Sequence, residues 1–260
     1  MTTMVLADGA EFTAPGVKDF FLPKIIEPYV DKPMILLVLS IVIISVFFLV
    51  ATRNLKIVPG KLQFAAEQVY DFGRNGIARE QIGAKDFKPF VPLIVAIFTF
   101  VLVNNLFGLI PIVQFPTMSH IGFPLAVSLF VVYPVYHFVG FKRHGFVGYL
   151  KHQTIPPGAP WFVLPLLIPI EFFQKFVLNP ITLAIRVFAA MFAGHLLLLV
   201  FTLAGEFLLL NGGITVIVGP ISIAFAIALT FLEALIMVLQ AYIFALLSAS
   251  YIGMALAEEH

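Results

Sequence analysis

Long apolar stretches constrain the fold of this chain more than any other feature. Most of these stretches are about as long as a bilayer-spanning helix, and two are about twice that length. A helix needs about 20 apolar residues to cross the roughly 30 Å hydrocarbon layer. Strands of a transmembrane barrel alternate in polarity over about ten residues, and these stretches do not. The sequence therefore predicts an all-α polytopic membrane protein.

The predicted organisation is a polar tail at 1–33 followed by a single membrane domain at 34–260. Its elements are a span at 34–51, a surface helix at 58–82, spans at 89–111 and 121–141, and two helices at 160–205 and 214–256. Ile221–Leu256 has no proline and no charged loop on which to turn. We therefore expect the last two helices to be strongly tilted single crossings forming a hairpin, with a turn between Gly205 and Gly213. This gives about five crossings.

Basic residues predict the orientation of the chain. Seven of the fifteen Lys and Arg lie in 53–88, and Lys142, Arg143 and Lys151 follow the third span, whereas the loop 112–120 has none. The positive-inside rule then places the N-terminus outside and the C-terminus in the cytoplasm. The helix at 58–82 is mildly amphipathic, which suits the cytoplasmic membrane surface, although an ordinary loop helix is equally compatible. We expect no cleavable signal peptide.

Composition excludes several classes of function. The chain has no cysteine, so disulfides, Cys-ligated zinc and thiol catalysis are ruled out. The net charge of +1 gives no indication of nucleic-acid binding. We expect no metal and no cofactor. The chain has no Gly-rich phosphate loop and would make no ATP on its own.

Arg186 is the most informative residue, because it lies in the middle of an apolar segment with no acid beside it in the sequence. An ion in hydrocarbon costs about 3 kcal/mol on insertion scales, and arginine does not lose its proton. It therefore needs a carboxylate, water or a polar cavity; the alternative is a side chain that snorkels or bonds carbonyl groups. At 100° per residue, Arg186 shares its face with Ala189, Ala190 and Ala193, so another helix can approach closely. His195 lies about 180° away.

Polar residues of the last helix also share one face. Ser222, Glu233 and Gln240 lie within about 20° of one line, which indicates a wet path or an interhelical network. His195 is a plausible partner for Glu233, because imidazole relays protons near neutral pH. The alternative is a static hydrogen bond between two helices. Further candidates for lining a polar path are Asn104, Asn105, Glu171, Lys175 and Asn179.

Three motifs make the sequence similar to a known family. IRVFAAMFAGHL, EALIMVLQAYIFALLSASYI and VNNLFGLIP, which lie within roughly 90–256, resemble subunit a of the rotary F-type ATP synthase. The resemblance implies a non-catalytic, proton-conducting stator subunit of the bacterial plasma membrane. It implies two offset half-channels beside a ring of c subunits, b-type peripheral-stalk subunits as neighbours, indirect contact with the F1 sector, and lipid around the helices.

The resemblance also implies roles for particular residues. Arg186 matches the stator charge and Gln240 the amide near it, while His195 and Glu233 match polar positions of the outer half-channel. Two departures stand out. Many members have Gly-Asn at Ala189-Ala190, and many bacterial members have an acid at the position of His195, whereas here the acid is Glu233. The order of the proton relay between His195 and Glu233 is therefore open.

Two other classes also fit parts of the sequence. A secondary transporter or ion channel would use polar groups at the membrane midplane and would work without a ring. A haem-bearing respiratory subunit would need paired histidines on facing helices, for which His137 and His195 are the candidates.

Overall fold

The computed structural model describes residues 3–5, 11–13, 15–16, 31–111, 113–155, 160–210 and 215–257. Five helical stretches in these ranges are long and apolar enough to cross a membrane. The predicted all-α polytopic fold is therefore confirmed. The exception among the described residues is a short antiparallel ribbon in the tail, in which β1 (Thr3–Val5) pairs with β2 (Glu11–Thr13).

The first span, α1 (Lys32–Thr52), has a proline in its first turn and packs on α4 (Val91–Leu106). There the Asn104 amide donates to the Ser40 hydroxyl over 2.8 Å, and neither residue is exposed. Most other side chains of α1 are exposed. An apolar helix with so little buried surface is suited to contact with lipid or with another apolar helix.

The surface helix comprises α2 (Lys61–Asp71), a π-helical turn (Phe72–Ala78) and α3 (Arg79–Ile82). It begins at Lys61 and not at 58, because Gly60 keeps an extended backbone. Gln63 is buried, and its amide bonds both the N–H and the carbonyl of Lys56. Leu62 and Phe64 remain exposed, as expected of a helix that rests on a membrane surface.

The third span comprises α5 (Gly122–Val127), a π-helical turn (Ser128–Val132) and α6 (Tyr133–Thr154). Helix does not end at 141 as predicted but continues to Thr154, with a break at Gly145, whose φ of 72° is in the left-handed region. Beyond the break the chain turns back, so that the Tyr149 ring occupies the space of a side chain at Gly140. The Tyr149 hydroxyl lies 2.9 Å from His137 Nδ1.

The last part of the chain forms a helical hairpin. It begins with α7 (Leu164–Phe173) and a π-helical turn (Gln174–Leu178), which lead into α8 (Asn179–Leu210). Helix α8 then packs along α9 (Thr215–Leu256). The helix therefore starts at Leu164 and not at 160, and it continues five residues past 205. Gly205 is not a turn residue: a Cβ there would lie 2.8 Å from Ile223 Cγ1, so this glycine permits close packing of the two helices. The end of the expected turn, 211–213, lies outside the described residues.

The C-terminal end of α9 is fixed by the surface helix. The Gln81 carbonyl occupies the space that a side chain at Gly253 would need. Beside this contact, Phe244, Ile252 and α4 residues such as Ile94 form a fully buried apolar core. The core holds α9 between α4 and the surface helix, which places its polar residues against α8.

Candidate functional site

A buried pair of titratable side chains joins α8 to α9. His195 is 4% exposed and Glu233 is 2% exposed, and His195 Nδ1 lies 3.5 Å from Glu233 Oε1. Gly194 packs beside the acid, and a Cβ at this position would lie in ordinary van der Waals contact with Glu233 Cγ, at 3.6 Å. His195 and Glu233, which the sequence analysis suggested as partners, are in direct contact in the structure.

The Glu233 carboxylate is poorly satisfied by the surrounding protein. Neither of its oxygens accepts a hydrogen bond from any residue in the described part of the chain. Burial of an ionised carboxylate without hydrogen bonds is costly, so such a group takes up a proton or recruits water. The Glu233 oxygens therefore call for water or for donor groups from outside the described residues.

Gln240 of α9 and Asn105 of α4 continue the polar surface from Glu233 towards the C-terminal end of α9. The Asn105 amide donates to the Met237 carbonyl over 3.2 Å, one helical turn beyond Glu233. The buried Gln240 Oε1 and Asn105 Oδ1 accept no hydrogen bond within the described ranges. Buried amide oxygens without partners mark sites where water or a partner's donor group would be stabilised. Ser222 differs, because its hydroxyl donates to the Phe201 carbonyl over 2.8 Å and joins the two helices.

A cavity of about 330 Å³ opens beside the buried pair. His195 forms part of its wall, and α8, α9 and the segment that follows α4 enclose it. The polar residues that line it, besides His195, are Gln114, Thr202, Glu206 and Thr230. A cavity of this size with several polar partners has room for a number of water molecules. It therefore offers space for water next to His195.

Sequence reasoning missed the polar wall residues of this cavity other than His195. Glu206 carried a usable signal, because it follows His195 by eleven residues and therefore lies about 20° from it around the helix. Gln114 could not be found in this way, because it belongs to a loop whose path depends on tertiary packing. Its φ of 42° is unusual for a residue other than glycine.

Arg186 lies on the opposite side of α8 and is exposed, as are Ala189 and Ala193, while Ala190 is half-buried. No carboxylate of the described chain lies within ion-pair distance of its guanidinium. Arg186 does interact electrostatically with the half-buried Tyr251 of α9. The face predicted from helical geometry is therefore an accessible strip of small residues with one permanent charge.

The remaining candidates form separate contacts. Asn104 bonds Ser40 of α1 and so lies away from the His195–Glu233 pair. Lys175 Nζ lies 3.2 Å from Glu171 Oε2 and donates to the Gln153 carbonyl over 2.7 Å, which ties α7 to the end of α6. Asn179 is half-buried at the start of α8.

Charged residues also surround the start of α1. Lys32 Nζ donates to the Val113 carbonyl over 2.7 Å. Burial lowers the pKa of His120 below its ordinary value, and the nearby Asp31 carboxylate opposes this shift. The loop that contributes Gln114 to the cavity is therefore held beside the start of α1, where Lys32 and Asp31 carry charges of opposite sign. No group of three or more potential metal ligands occurs among the described residues.

Comparison with known proteins identifies the family. The family model described as ATP synthase A chain matches residues 34–253. The protein named ATP synthase subunit a of Pseudarthrobacter chlorophenolicus is 46% identical over 97% of both chains, and that of Nocardioides sp. is 46% identical over 98% of this chain and 96% of its own. The Streptomyces lividans protein of the same name is 43% identical over 97% of this chain and 91% of its own.

The chain belongs to the ATP synthase subunit a family, which confirms the resemblance seen in its motifs. Its apolar helices and its bacterial relatives make it a multi-pass protein of the plasma membrane. Family membership does not by itself assign roles to individual side chains.

Proposed function

We propose that this chain is the stator subunit of the membrane sector of a rotary ATP synthase, and that it conducts protons past a ring of c subunits. Its family membership supports the general role. One structural observation carries the detail: α8 presents an exposed arginine on one side and a buried His–Glu pair beside a polar cavity on the other.

The outer half-channel comprises the cavity and the buried pair. A proton from the outer medium passes through water in the cavity to His195 and Glu233, and then to an ionised carboxylate on a c subunit. The neutral carboxylic acid then tolerates contact with lipid, so the ring can turn. Each proton that crosses the membrane delivers about 2.3 kcal/mol per 100 mV.

Arg186 separates this path from an inner half-channel. After nearly a full turn the carboxylate releases its proton towards the cytoplasm, through a path for which Glu171, Lys175, Asn179 and Gln240 are the candidates. The fixed charge of Arg186 then stabilises the ionised carboxylate and blocks direct proton flow between the half-channels. Asn104, Asn105 and Ser222 are further candidates for lining the half-channels.

The proposed partners follow from this role. The strip of small residues around Arg186 faces the c-ring, and the exposed helices elsewhere contact lipid and b-type stalk subunits. The F1 sector is coupled through the complex, and no nucleic acid takes part. The N-terminus lies outside and the C-terminus in the cytoplasm.

Cross-linking in the assembled complex tests the contact with the ring. An Ala189→Cys variant should form a disulfide with a cysteine placed near the carboxylate of the c subunit, because small side chains let the two helices approach. An Ile43→Cys variant serves as the control, since it is exposed on α1, away from the strip. Equal cross-linking of both variants, or of the control alone, would contradict the proposed docking face.

Accessibility labelling tests the orientation. Single cysteines report cleanly because the chain has none. A membrane-impermeant maleimide should label a Gly212→Cys variant from the outer side and a Lys142→Cys variant from the cytoplasmic side. Right-side-out and inverted vesicles give the comparison. Labelling of Gly212→Cys from the cytoplasmic side alone would refute the proposed arrangement; Gly212 itself lies outside the described residues.

A further inference from the structure

We infer that Glu206 is the carboxylate that collects protons at the outer mouth of the cavity and supplies them to His195. This inference rests on the proposed outer half-channel and adds to it a residue that the family motifs do not contain. It depends on three observations: where Glu206 lies on α8, how the cavity connects it to the buried pair, and which charges surround it.

Glu206 and His195 line the same cavity from the same face of α8. The eleven residues between them correspond to a rise of about 16 Å and a rotation of about 20°. Glu206 is exposed, whereas His195 is 4% exposed. One end of the cavity therefore opens at the surface of the chain, and the other is enclosed in protein next to Glu233.

Hydroxyl groups line the walls between these ends. Thr202 donates to the Leu198 carbonyl and Thr230 donates to the Ala226 carbonyl, each over 2.8 Å. Their oxygens keep lone pairs that can accept bonds from water. With the Gln114 amide near the mouth, these groups supply polar partners along the cavity, and proton transfer through water needs such partners.

The charges around the mouth favour a proton-binding role for Glu206. Among the described residues that line the cavity, the titratable groups are Glu206 and His195. Glu233 adjoins His195, and Lys32, Asp31 and His120 lie around the loop that carries Gln114. An exposed carboxylate takes a proton from the medium, forming an O–H bond, and returns it to water in the cavity. Focused negative charge at a cleft raises the local concentration of cations.

A substitution series in the complete complex, reconstituted in proteoliposomes, tests the inference. Glu206→Gln should lower the initial rate of proton-driven ATP synthesis by roughly threefold to tenfold when the outer face is at pH 8. The deficit should shrink at pH 6, where bulk protons are more abundant, and at high salt, which screens the carboxylate. Glu206→Asp should restore most of the rate. The control is Glu80→Gln, which removes an exposed acid on α3 and should match the wild type.

The outcomes separate this inference from the proposed function. If Glu206→Gln matches Glu80→Gln at every pH while variants of His195 and Glu233 are slow, Glu206 is an ordinary surface acid and the inference is wrong. If all of these variants match the wild type, the outer half-channel itself is wrong. A deficit in Glu206→Gln that is the same at every pH and salt concentration, with no recovery in Glu206→Asp, indicates a structural role and also overturns the inference.

Discussion

An Arg186→Lys variant is expected to abolish ATP synthesis while the complex assembles at nearly the normal level. The ring would enclose Arg186 against an acid, so the charge must persist in a dry site. The pKa of a buried lysine falls by several units, whereas arginine stays protonated. Lysine also lacks the planar fork that holds a carboxylate through two hydrogen bonds. ATP synthesis in inverted vesicles, with complex abundance measured beside it, gives the result.

An Arg186→Ala variant extends this test. It should also abolish synthesis, and it should leak protons passively, because no fixed charge then separates the two half-channels. The matched control is Arg79→Lys, an exposed arginine of the surface helix that should tolerate the change. An arginine with a purely structural role predicts a different pattern: lysine would rescue function, and alanine would lower assembly. Substantial synthesis by Arg186→Lys would refute the stator-charge role.

Helical geometry was enough to predict which sides of α8 carry Arg186 and His195. Apolar runs identified the long helices, and 100° per residue placed Arg186 and His195 on opposite sides of α8. The structure agrees: Arg186 is exposed and His195 is buried. This reasoning works because a long membrane helix has a regular backbone, so sequence spacing converts directly into direction.

The errors arose where the backbone or the packing is irregular. Gly205 reads as a turn residue, yet it is buried in α8 because Ile223 needs the space of its side chain. Gly145 breaks α6, and the residues beyond it turn back to place Tyr149 against Gly140. A glycine in a sequence gives no sign of whether it serves a turn or a close helix contact, since both need the missing Cβ.

The hydrogen-bond partner of a polar side chain also cannot be deduced from its spacing in the sequence. Asn104 and Asn105 are adjacent, yet the first bonds Ser40 of α1 and the second bonds Met237 of α9. Neighbouring residues on a helix point about 100° apart, so a polar pair in a sequence need not serve one site. The cavity could not be predicted either, because part of its wall comes from the loop that carries Gln114.

Glu233→Gln and His195→Ala variants are each expected to slow proton-coupled turnover, in either direction, by at least tenfold without dismantling the complex. Each removes a titratable group from a contact of 3.5 Å, and glutamine keeps the size of the acid while it loses the exchangeable proton. ATP-driven proton pumping across a range of pH, with complex abundance measured in parallel, gives the rates. Ser248→Ala is the matched control, since its buried hydroxyl bonds a backbone carbonyl of the same helix as Glu233.

The double variant distinguishes a proton relay from a structural contact. If the two groups pass one proton in series, Glu233→Gln together with His195→Ala should be little slower than the worse single variant, because residues that act as a unit are not additive. The exchanged variant, His195→Glu with Glu233→His, keeps an acid beside an imidazole and should recover part of the rate. If the pair is instead a static hydrogen bond, the variants should change the assembly of the complex and leave the pH profile of pumping unaltered. Normal coupling of both single variants at every pH would show that the pair serves only to hold the helices together.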